Sequence, residues 1–279
     1  MTLVDLLLNA AALLLWVSWR SAGFVRTGAG RTPFSPLVPA ASPGDSRRHF
    51  LLMGLLLLLL SRSWIYWRLG AEVGWIASVN LGIVTLSFKS LLLSRMVIYS
   101  YLTFGVWLFS FHVWLLMISV INRRVPDTDS WQRSVRQHLG WMEAWPALLK
   151  LTGPWMLVAL LWFLAMPGLV RLGLAAPART TIEIWQQGAL VGLGTSVVWK
   201  YLIGGLLLLH VINSYLYLGN RPWWTYVNTT ARNLLRPIRW LPLRFGRMDF
   251  APILGIALTF LGFELLEAAL KHLFGRLPL

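Results

Sequence analysis

Six long apolar stretches, separated by polar or basic segments, constrain this chain more than any other feature of its sequence. They lie at residues 2–19, 49–67, 94–121, 151–170, 183–218 and 250–270. A helix needs about 20 mostly apolar residues to cross a bilayer, and 57% of the chain is hydrophobic, with a mean hydropathy of +0.64. The pattern predicts an all-α integral membrane protein with about six transmembrane helices.

Three stretches need separate interpretation. Gly70–Ser90 is rich in Val and Ile but contains Asn80 and Lys89, so we expect an extended or interfacial segment on the outer side. The first apolar stretch carries Asp5 and no preceding positive charge, which favours a retained helix over a cleaved signal peptide. Residues 183–218 would form a helix about 54 Å long, so it must tilt or begin with an outer helical piece.

The distribution of basic residues predicts the topology. Residues 20–48, 122–150 and 219–248 hold 16 of the 25 Lys and Arg residues. Basic loops stay cytoplasmic under the positive-inside rule, so we expect both termini outside an inner (plasma) membrane. The net charge of +15 then indicates contact with anionic lipids and not with nucleic acid. The chain has no cysteine, which excludes disulfides and thiol chemistry.

Part of the chain is repeated at a shift of 98 positions. The shift places His112 on His210, Asn122-Arg123 on Asn220-Arg221, and Gly153-Pro154 on Ala251-Pro252. Each copy reads as a helix, a basic loop and a second helix, and both enter the membrane in the same direction, as parallel repeats do. We therefore predict an N-terminal extension over 1–90, with two transmembrane helices and an outer irregular segment, and two tandem helix–loop–helix repeats over 91–170 and 183–272.

The second copy contains Leu234-Leu-Arg-Pro-Ile-Arg239, then Leu241-Pro242 and Asp249-Phe-Ala-Pro252. This motif resembles the YggT family of bacterial integral membrane proteins, most clearly over 209–261 and more weakly over 112–156. Trp240 and Ala251 depart from the family pattern. The resemblance implies a non-enzymatic assembly or organising role with an unidentified membrane protein partner. Roles of this kind concern osmotic tolerance, cell division or cytochrome assembly in plastids.

The second basic loop contains the candidate contact residues. Its composition predicts a helix over Thr225–Leu235, which ends before Pro237 because the proline ring disfavours helix there. Five arginines are expected to contact anionic headgroups or a partner: Arg232, Arg236, Arg239, Arg244 and Arg247. An interfacial segment held on headgroups and a dedicated anionic-ligand or docking site are the two interpretations.

The start of the last apolar helix has the sequence of a helix cap. Asp249 is expected to accept backbone N–H bonds there, and Pro252 is tolerated in the first turn. A salt bridge from Asp249 to the nearby arginines is the alternative. Thr152 is expected to play the equivalent cap role before Pro154.

Three ionisable residues lie within or near the apolar stretches, where charge is costly unless it is paired. Lys200 and Glu267 lie at similar depths on sequential helices, which predicts a structural ion pair. The alternative is a proton or ion path through Lys200 and Glu264, as in a small transporter or channel.

His112 and His210 occupy equivalent repeat positions. They are expected either to pack as hydrogen-bonded side chains or to ligate a haem axially, as a haem-binding membrane module would. No other cofactor and no metal site is expected. The chain lacks the H-E-x-x-H, G-x-S-x-G and P-loop patterns, so we expect no enzymatic activity. A homo-oligomer is left open.

Overall fold

A computed structural model describes residues 2–26, 45–126, 129–216, 221–238, 240–241, 243–245 and 248–277. Its helices are α1 (Thr2–Arg26), α2 (Asp45–Val73), α3 (Leu93–Ile121), α4 (Ser130–Leu139), α5 (Ala147–Arg171), α6 (Thr181–Gly194), α7 (Trp199–Leu216), α8 (Pro222–Leu234) and α9 (Ala251–Gly275). Four short strands are β1 (Ile76–Asn80), β2 (Thr85–Lys89), β3 (Arg244–Phe245) and β4 (Met248–Asp249).

The described residues include six helical spans that are long and apolar enough to cross a membrane. They correspond to α1, α2, α3, α5, the continuous segment Thr181–Leu216, and α9. The chain is therefore an all-α, multi-pass membrane protein, and the predicted number of spans is confirmed. Several helices extend beyond their apolar stretches. For example, α5 begins at Ala147, directly after Pro146, and not at Leu151, because proline is tolerated immediately before a helix, where its missing N–H is not needed.

The predicted segment Gly70–Ser90 contains two extended strands, which is one of the predicted forms. Its first residues continue α2 to Val73, and the strands form a regular hairpin and not an irregular segment. Strands β1 and β2 pair antiparallel, with Ser78 opposite Ser87. Alternate residues of each strand are buried, which is the period of two expected of a sheet with one covered face. Gly82 in the connecting turn has φ of +94°, a conformation that glycine adopts most readily. The predicted outer location of this hairpin stays a prediction.

The chain divides into two compact units. The first comprises Met1–Leu81 and Thr85–His112, and the second comprises Gly82–Val84 and Val113–Leu279. The division falls within α3 and differs from the predicted boundary after residue 90, because the two ends of one long helix contribute to different units. In the first unit, α1, α2 and α3 meet at an apolar cluster of Ala12, Leu55, Leu59 and Phe104.

In the second unit, α6 approaches the backbone of α5 closely. A Cβ atom on Gly188 would lie 2.8 Å from the carbonyl oxygen of Ala159, and one on Gly192 would meet the carbonyl oxygen of Trp155 at a still shorter distance. Small residues allow two membrane helices to pack with their backbones in contact. Glycine at these positions is therefore a packing requirement.

Replacing Gly192 by alanine is expected to destabilise the protein by about 1–3 kcal/mol, because the added methyl group pushes α6 away from α5. Unfolding in mixed detergent micelles measures this loss. Gly205→Ala on α7 is the matched control, because a Cβ atom there meets nothing within 4 Å. Equal losses in the two variants would contradict the close approach of α5 and α6.

The long span Thr181–Leu216 is interrupted at its centre. Residues Thr195–Val198 form a 3-10 turn between α6 and α7. The hydroxyls of Thr195 and Ser196 each donate 2.7 Å hydrogen bonds, to the carbonyls of Gly192 and Leu193 respectively. The indole of Trp114 on α3 donates to the carbonyl of Val198 at 3.0 Å. Side chains thus satisfy carbonyls near the interruption, as a break at membrane depth requires.

Each predicted repeat contains a long apolar segment, a short helix and a second long helix, but only the second repeat also contains the strands β3 and β4. The second long helices, α5 and α9, each have 25 residues. They begin at Ala147 and Ala251, a shift of 104 positions, and not at the predicted shift of 98. The ungapped alignment therefore misplaces the second helices by six residues. The repeat itself stays a prediction.

Candidate functional site

Buried polar side chains form three clusters, one in the first unit and two in the second. Each cluster joins residues that are distant in sequence. They are the Arg62 cluster, the Lys200 cluster and the loop platform, which consists of α4, α8 and the residues that contact them.

The Arg62 cluster lies within the helices of the first unit. The guanidinium of Arg62 is 1% exposed. It donates to the carboxylate of Asp5 at 2.9 Å, to the side-chain oxygen of Asn9 at 2.7 Å and to the hydroxyl of Thr103 at 2.9 Å. A charge within a span is expensive unless it is paired. Arg62 on α2 thus contacts neighbouring helices. Its hydrogen bonds connect α2 to α1 through Asp5 and Asn9, and to α3 through Thr103.

Two tyrosines complete this cluster. The hydroxyls of Tyr66 and Tyr99 donate to the carboxylate of Asp5 at 2.6 and 3.1 Å. Both rings also lie within 6 Å of the Arg62 guanidinium, in cation–π range. The sequence interpretation did not find this site. The signal was present as two opposite charges, Asp5 and Arg62, in sequential apolar stretches.

The Lys200 cluster joins α7 and α9. The ammonium of Lys200 donates to Glu264 at 2.8 Å and to Glu267 at 3.1 Å. Lys200 is only 5% exposed. Glu267 also accepts from Lys271, one turn further along α9, at 2.8 Å. The structure therefore places the predicted Lys200–Glu267 pair together, and adds Glu264 to it. Two cations and two carboxylates make the cluster neutral.

The loop platform connects the segments that follow α3 and α7. Asn122, at the end of α3, donates to the hydroxyl of Thr230 on α8 at 2.7 Å and accepts from the amide of Asn233 at 3.0 Å. Tyr226 on α8 donates to the side chain of Gln132 on α4 at 3.0 Å. Asn122, Gln132 and Thr230 are fully buried. This buried network holds α4 and α8 in one arrangement.

Burial raises the pKa of the Tyr226 phenol to about 12. The phenol therefore remains a hydrogen-bond donor to Gln132 throughout the physiological range. Ionisation of a group whose pKa is raised on folding costs stability only as the pH rises towards that value. Titration of Tyr226 therefore does not change the stability of the platform network near neutral pH.

A second set of contacts links the platform to α5. Lys150 on α5 donates to the hydroxyl of Ser119 on α3 at 2.8 Å and pairs with Glu143 at 3.0 Å. Ser119 in turn donates to Glu143 at 2.6 Å. These three residues satisfy one another at the end of α3. The sequence interpretation counted Lys150 only as a loop charge.

Two of the five predicted contact arginines have side chains that the structure describes. Arg232 and Arg236 are exposed, one turn apart, at the end of α8 and just after it. Arg239, Arg247 and the side chain of Arg244 lie outside the described residues. Trp223, 38% exposed at the start of α8, adds the kind of amphipathic ring that is enriched at membrane interfaces.

An open cavity of about 570 Å³ lies beside the platform. Its lining joins the turn after α3 to α4 and α8, and consists of Arg124, Val125, Pro126, Asp129, Thr229 and Asn233. Asp129 also caps α4, because its carboxylate accepts the backbone N–H groups of Trp131 and Gln132. The carboxylate is therefore partly occupied by its own helix.

The predicted caps have different outcomes. Asp249 accepts from the backbone N–H of Ala251 at 3.0 Å, and Pro252 lies in the first turn of α9. The cap position itself is Phe250, one residue later than predicted. The prediction for Thr152 is wrong, because α5 begins at Ala147 and Thr152 donates to the carbonyl of Leu148 inside the helix. Pro154 is then an interior residue of α5.

Each predicted histidine has a hydrogen-bond partner at Nδ1. His112 contacts the carbonyl of Leu108 on its own helix, and His210 contacts the side-chain oxygen of Asn228 on α8, both at 2.8 Å. The equivalent positions thus have different partners. Over the described part of the chain, no group of three or more His, Asp or Glu side chains is arranged to hold a metal ion. Haem ligation by the two histidines stays a prediction.

No protein-family model, curated protein or solved structure matches this chain. Membership of the YggT family therefore stays a prediction that rests on the motif of the second basic loop.

Proposed function

We propose that this multi-pass membrane protein is a non-enzymatic assembly or organising factor, whose loop platform binds anionic lipids and docks a membrane protein partner. The observation that carries the proposal is the buried Asn122 network. Asn122 joins the end of α3 to α8, and the hydrogen bond from Tyr226 to Gln132 joins α8 to α4. The oxygen and the nitrogen of the Asn122 side chain are both hydrogen-bonded, and buried polar groups satisfied in this way favour one specific arrangement of the helices that they join. A fixed platform suits docking.

The exposed side of α8 supports the lipid contact. Arg232 and Arg236 are exposed on α8 and just beyond it, and basic residues near an anionic leaflet each contribute about 1 kcal/mol of attraction. The proposal includes the cytoplasmic location of the basic loops in an inner (plasma) membrane. It also includes the YggT resemblance, whose associated roles in osmotic tolerance, cell division and cytochrome assembly are organising roles.

The pairing of Lys200 supports the organising factor over a transporter. Its ammonium is buried and donates to two carboxylates, which is the arrangement of a structural ion pair. A transport path requires such groups to exchange partners with water or a transported ion. The Lys200 contacts therefore favour a structural role for this cluster.

Replacing Arg232 and Arg236 tests the lipid contact. The double variant Arg232→Gln/Arg236→Gln is expected to retain at least about tenfold less anionic lipid at low salt than the wild type, since two attractions of about 1 kcal/mol are lost. Retained phosphatidylglycerol, counted by mass spectrometry after purification in mixed-lipid nanodiscs, measures the change. High salt should reduce the wild-type preference because it screens exposed charges.

The matched control is Arg171→Gln/Arg179→Gln, which removes the same charge from exposed positions between α5 and α6. This control is expected to keep the wild-type lipid preference. Equal losses in the two double variants would show a general effect of net charge and would contradict a lipid-binding platform.

A further inference from the structure

Glu264 is an exposed carboxylate in the middle of an apolar span. It is the 14th of the 25 residues of α9, so about 20 Å of helix precedes it and about 16 Å follows it. Its side chain is 63% exposed although it accepts from Lys200. An ionisable group facing lipid at this depth costs about 2.5–3.5 kcal/mol on insertion scales. The surface around Glu264 is therefore unfavourable against lipid alone.

One oxygen of this exposed carboxylate has no hydrogen-bond partner among the described residues. Lys200 reaches Oε1 of Glu264, and Oε2 accepts no hydrogen bond from the described residues. The charges of the cluster already balance, because Lys200 and Lys271 offset Glu264 and Glu267. A further cation would upset this balance. A neutral hydrogen-bond donor, such as an amide, complements the site.

The neighbouring surface has the spacing of a helix-packing seam. Leu261, Ala268 and Lys271 are exposed and flank Glu264 at intervals of three and four residues. This is the interval at which side chains on one helix meet a second helix. Interhelical hydrogen bonds from amides and hydroxyls contribute to such contacts within membranes.

A second copy of this chain is a poor occupant of the seam. Copies in one membrane share their orientation, and a symmetric pair is related by an axis along the membrane normal. Glu264 would then face Glu264 of the partner subunit at the same depth. Like charges in direct opposition are destabilising. The occupant is better supplied by a different protein.

From these observations we infer that the exposed face of α9 around Glu264 docks a transmembrane helix of another protein, one that carries an amide donor at the middle of the membrane. The inference rests on the proposed organising function and specifies its partner class. The partner helix donates to the free oxygen of Glu264 and covers Leu261 and Ala268. Lys200 keeps its contacts in the complex.

The absence of cysteine from the chain permits a direct crosslinking test. The full-length Leu261→Cys variant is reconstituted in phosphatidylcholine vesicles with 21-residue leucine-based transmembrane peptides. Each peptide carries one cysteine a turn from its centre, and its central residue is Asn, Lys or Leu. Disulfide formation reports contact at this face. Met156→Cys, at an exposed position of α5, controls for random encounters.

The Asn peptide is expected to crosslink to Leu261→Cys about three- to tenfold more than the Leu peptide. The added substitution Glu264→Leu should abolish this preference, and Glu264→Gln provides a second variant of nearly native shape. Lys200 keeps Glu267 as a partner in both, and a cooperative thermal unfolding transition verifies that they fold.

Three outcomes would overturn the inference. They are equal crosslinking of the Asn and Leu peptides, preference for the Lys peptide, and a disulfide between two copies of the chain as the main product. Each leaves the lipid test of Arg232 and Arg236 unaffected. Failure at α9, together with the expected loss of anionic lipid in Arg232→Gln/Arg236→Gln, therefore rejects the docking face alone. Wild-type lipid retention in that double variant would instead reject the proposed lipid-binding platform.

Discussion

Replacing Arg62 by methionine is expected to destabilise the protein by about 3–5 kcal/mol, the usual cost of removing one partner from a buried ion pair. The substitution leaves the carboxylate of Asp5 without its cation, and Asn9 and Thr103 lose a shared donor. Methionine fills much of the same space, so the loss reports the missing charge and not a cavity. Reversible unfolding in mixed detergent micelles measures the free energy.

Two further variants show whether the unpaired carboxylate is the cause. Arg68→Met lies on the same helix, but its guanidinium is exposed over Trp64 and Trp67. It should cost no more than about 1 kcal/mol. Adding Asp5→Asn to Arg62→Met should recover part of the loss, because the uncompensated charge disappears. A double variant no more stable than Arg62→Met would argue that packing, and not charge, holds this cluster.

Replacing Lys200 by methionine is expected to cost about 3 kcal/mol or more for the same physical reason. Glu264 and Glu267 then lie together within the span, and only Glu267 retains a cation, Lys271. Substituting both glutamates by glutamine in the same chain should restore most of the stability. The unfolding free energies of the wild type, of Lys200→Met and of the chain with all three substitutions measure the effect.

The control for this cluster is Lys271→Met. Lys271 also pairs with Glu267, but its side chain is 52% exposed and the pair spans a single turn of one helix. Such pairs contribute about 0.2–0.5 kcal/mol. An ion path through the cluster would give a different result, in which Lys200→Met changes ion flux into vesicles and leaves stability near the wild type. That result would favour the transporter alternative.

The global architecture was predictable because membrane spans are specified by long apolar stretches. Apolar stretches of about 20 residues identified six spans, and Val- and Ile-rich composition indicated an extended or interfacial segment where the hairpin lies. The pairing of Lys200 with Glu267 was also predictable from depth, because rise per residue converts sequence position into height in a helix. The sequence placed Glu264 only in the alternative, a proton or ion path with Lys200, and not in the structural ion pair.

The side-chain partners within and between helices were harder to predict, because they depend on helix rotation. Asp5 was considered in the sequence only as evidence against a cleaved signal peptide, and not as a partner of Arg62. The rotation that brings Asp5, Arg62 and Tyr99 together is determined by packing of three helices. Hydropathy contains no information about that rotation.

Helix boundaries were the least predictable feature. Thr152 and Pro154 look like a cap and a first-turn proline, but α5 begins five residues before Thr152. Proline within a membrane helix is tolerated because neighbouring groups satisfy the released carbonyl. The helix α4 was missed because its polar composition resembles a loop, although Asp129 is a recognisable cap.

The Asn122 network has a consequence for the order of events during synthesis. The hydrogen bond from Asn122 to Thr230 joins residues 108 positions apart. At about 5–20 residues per second, the ribosome needs about 5–20 s to make the intervening chain. For that time the amide of Asn122 lacks its final partners and must be hydrated or bound to lipid headgroups. The platform is thus completed late, and a chain that stalls before α8 would keep an exposed polar face.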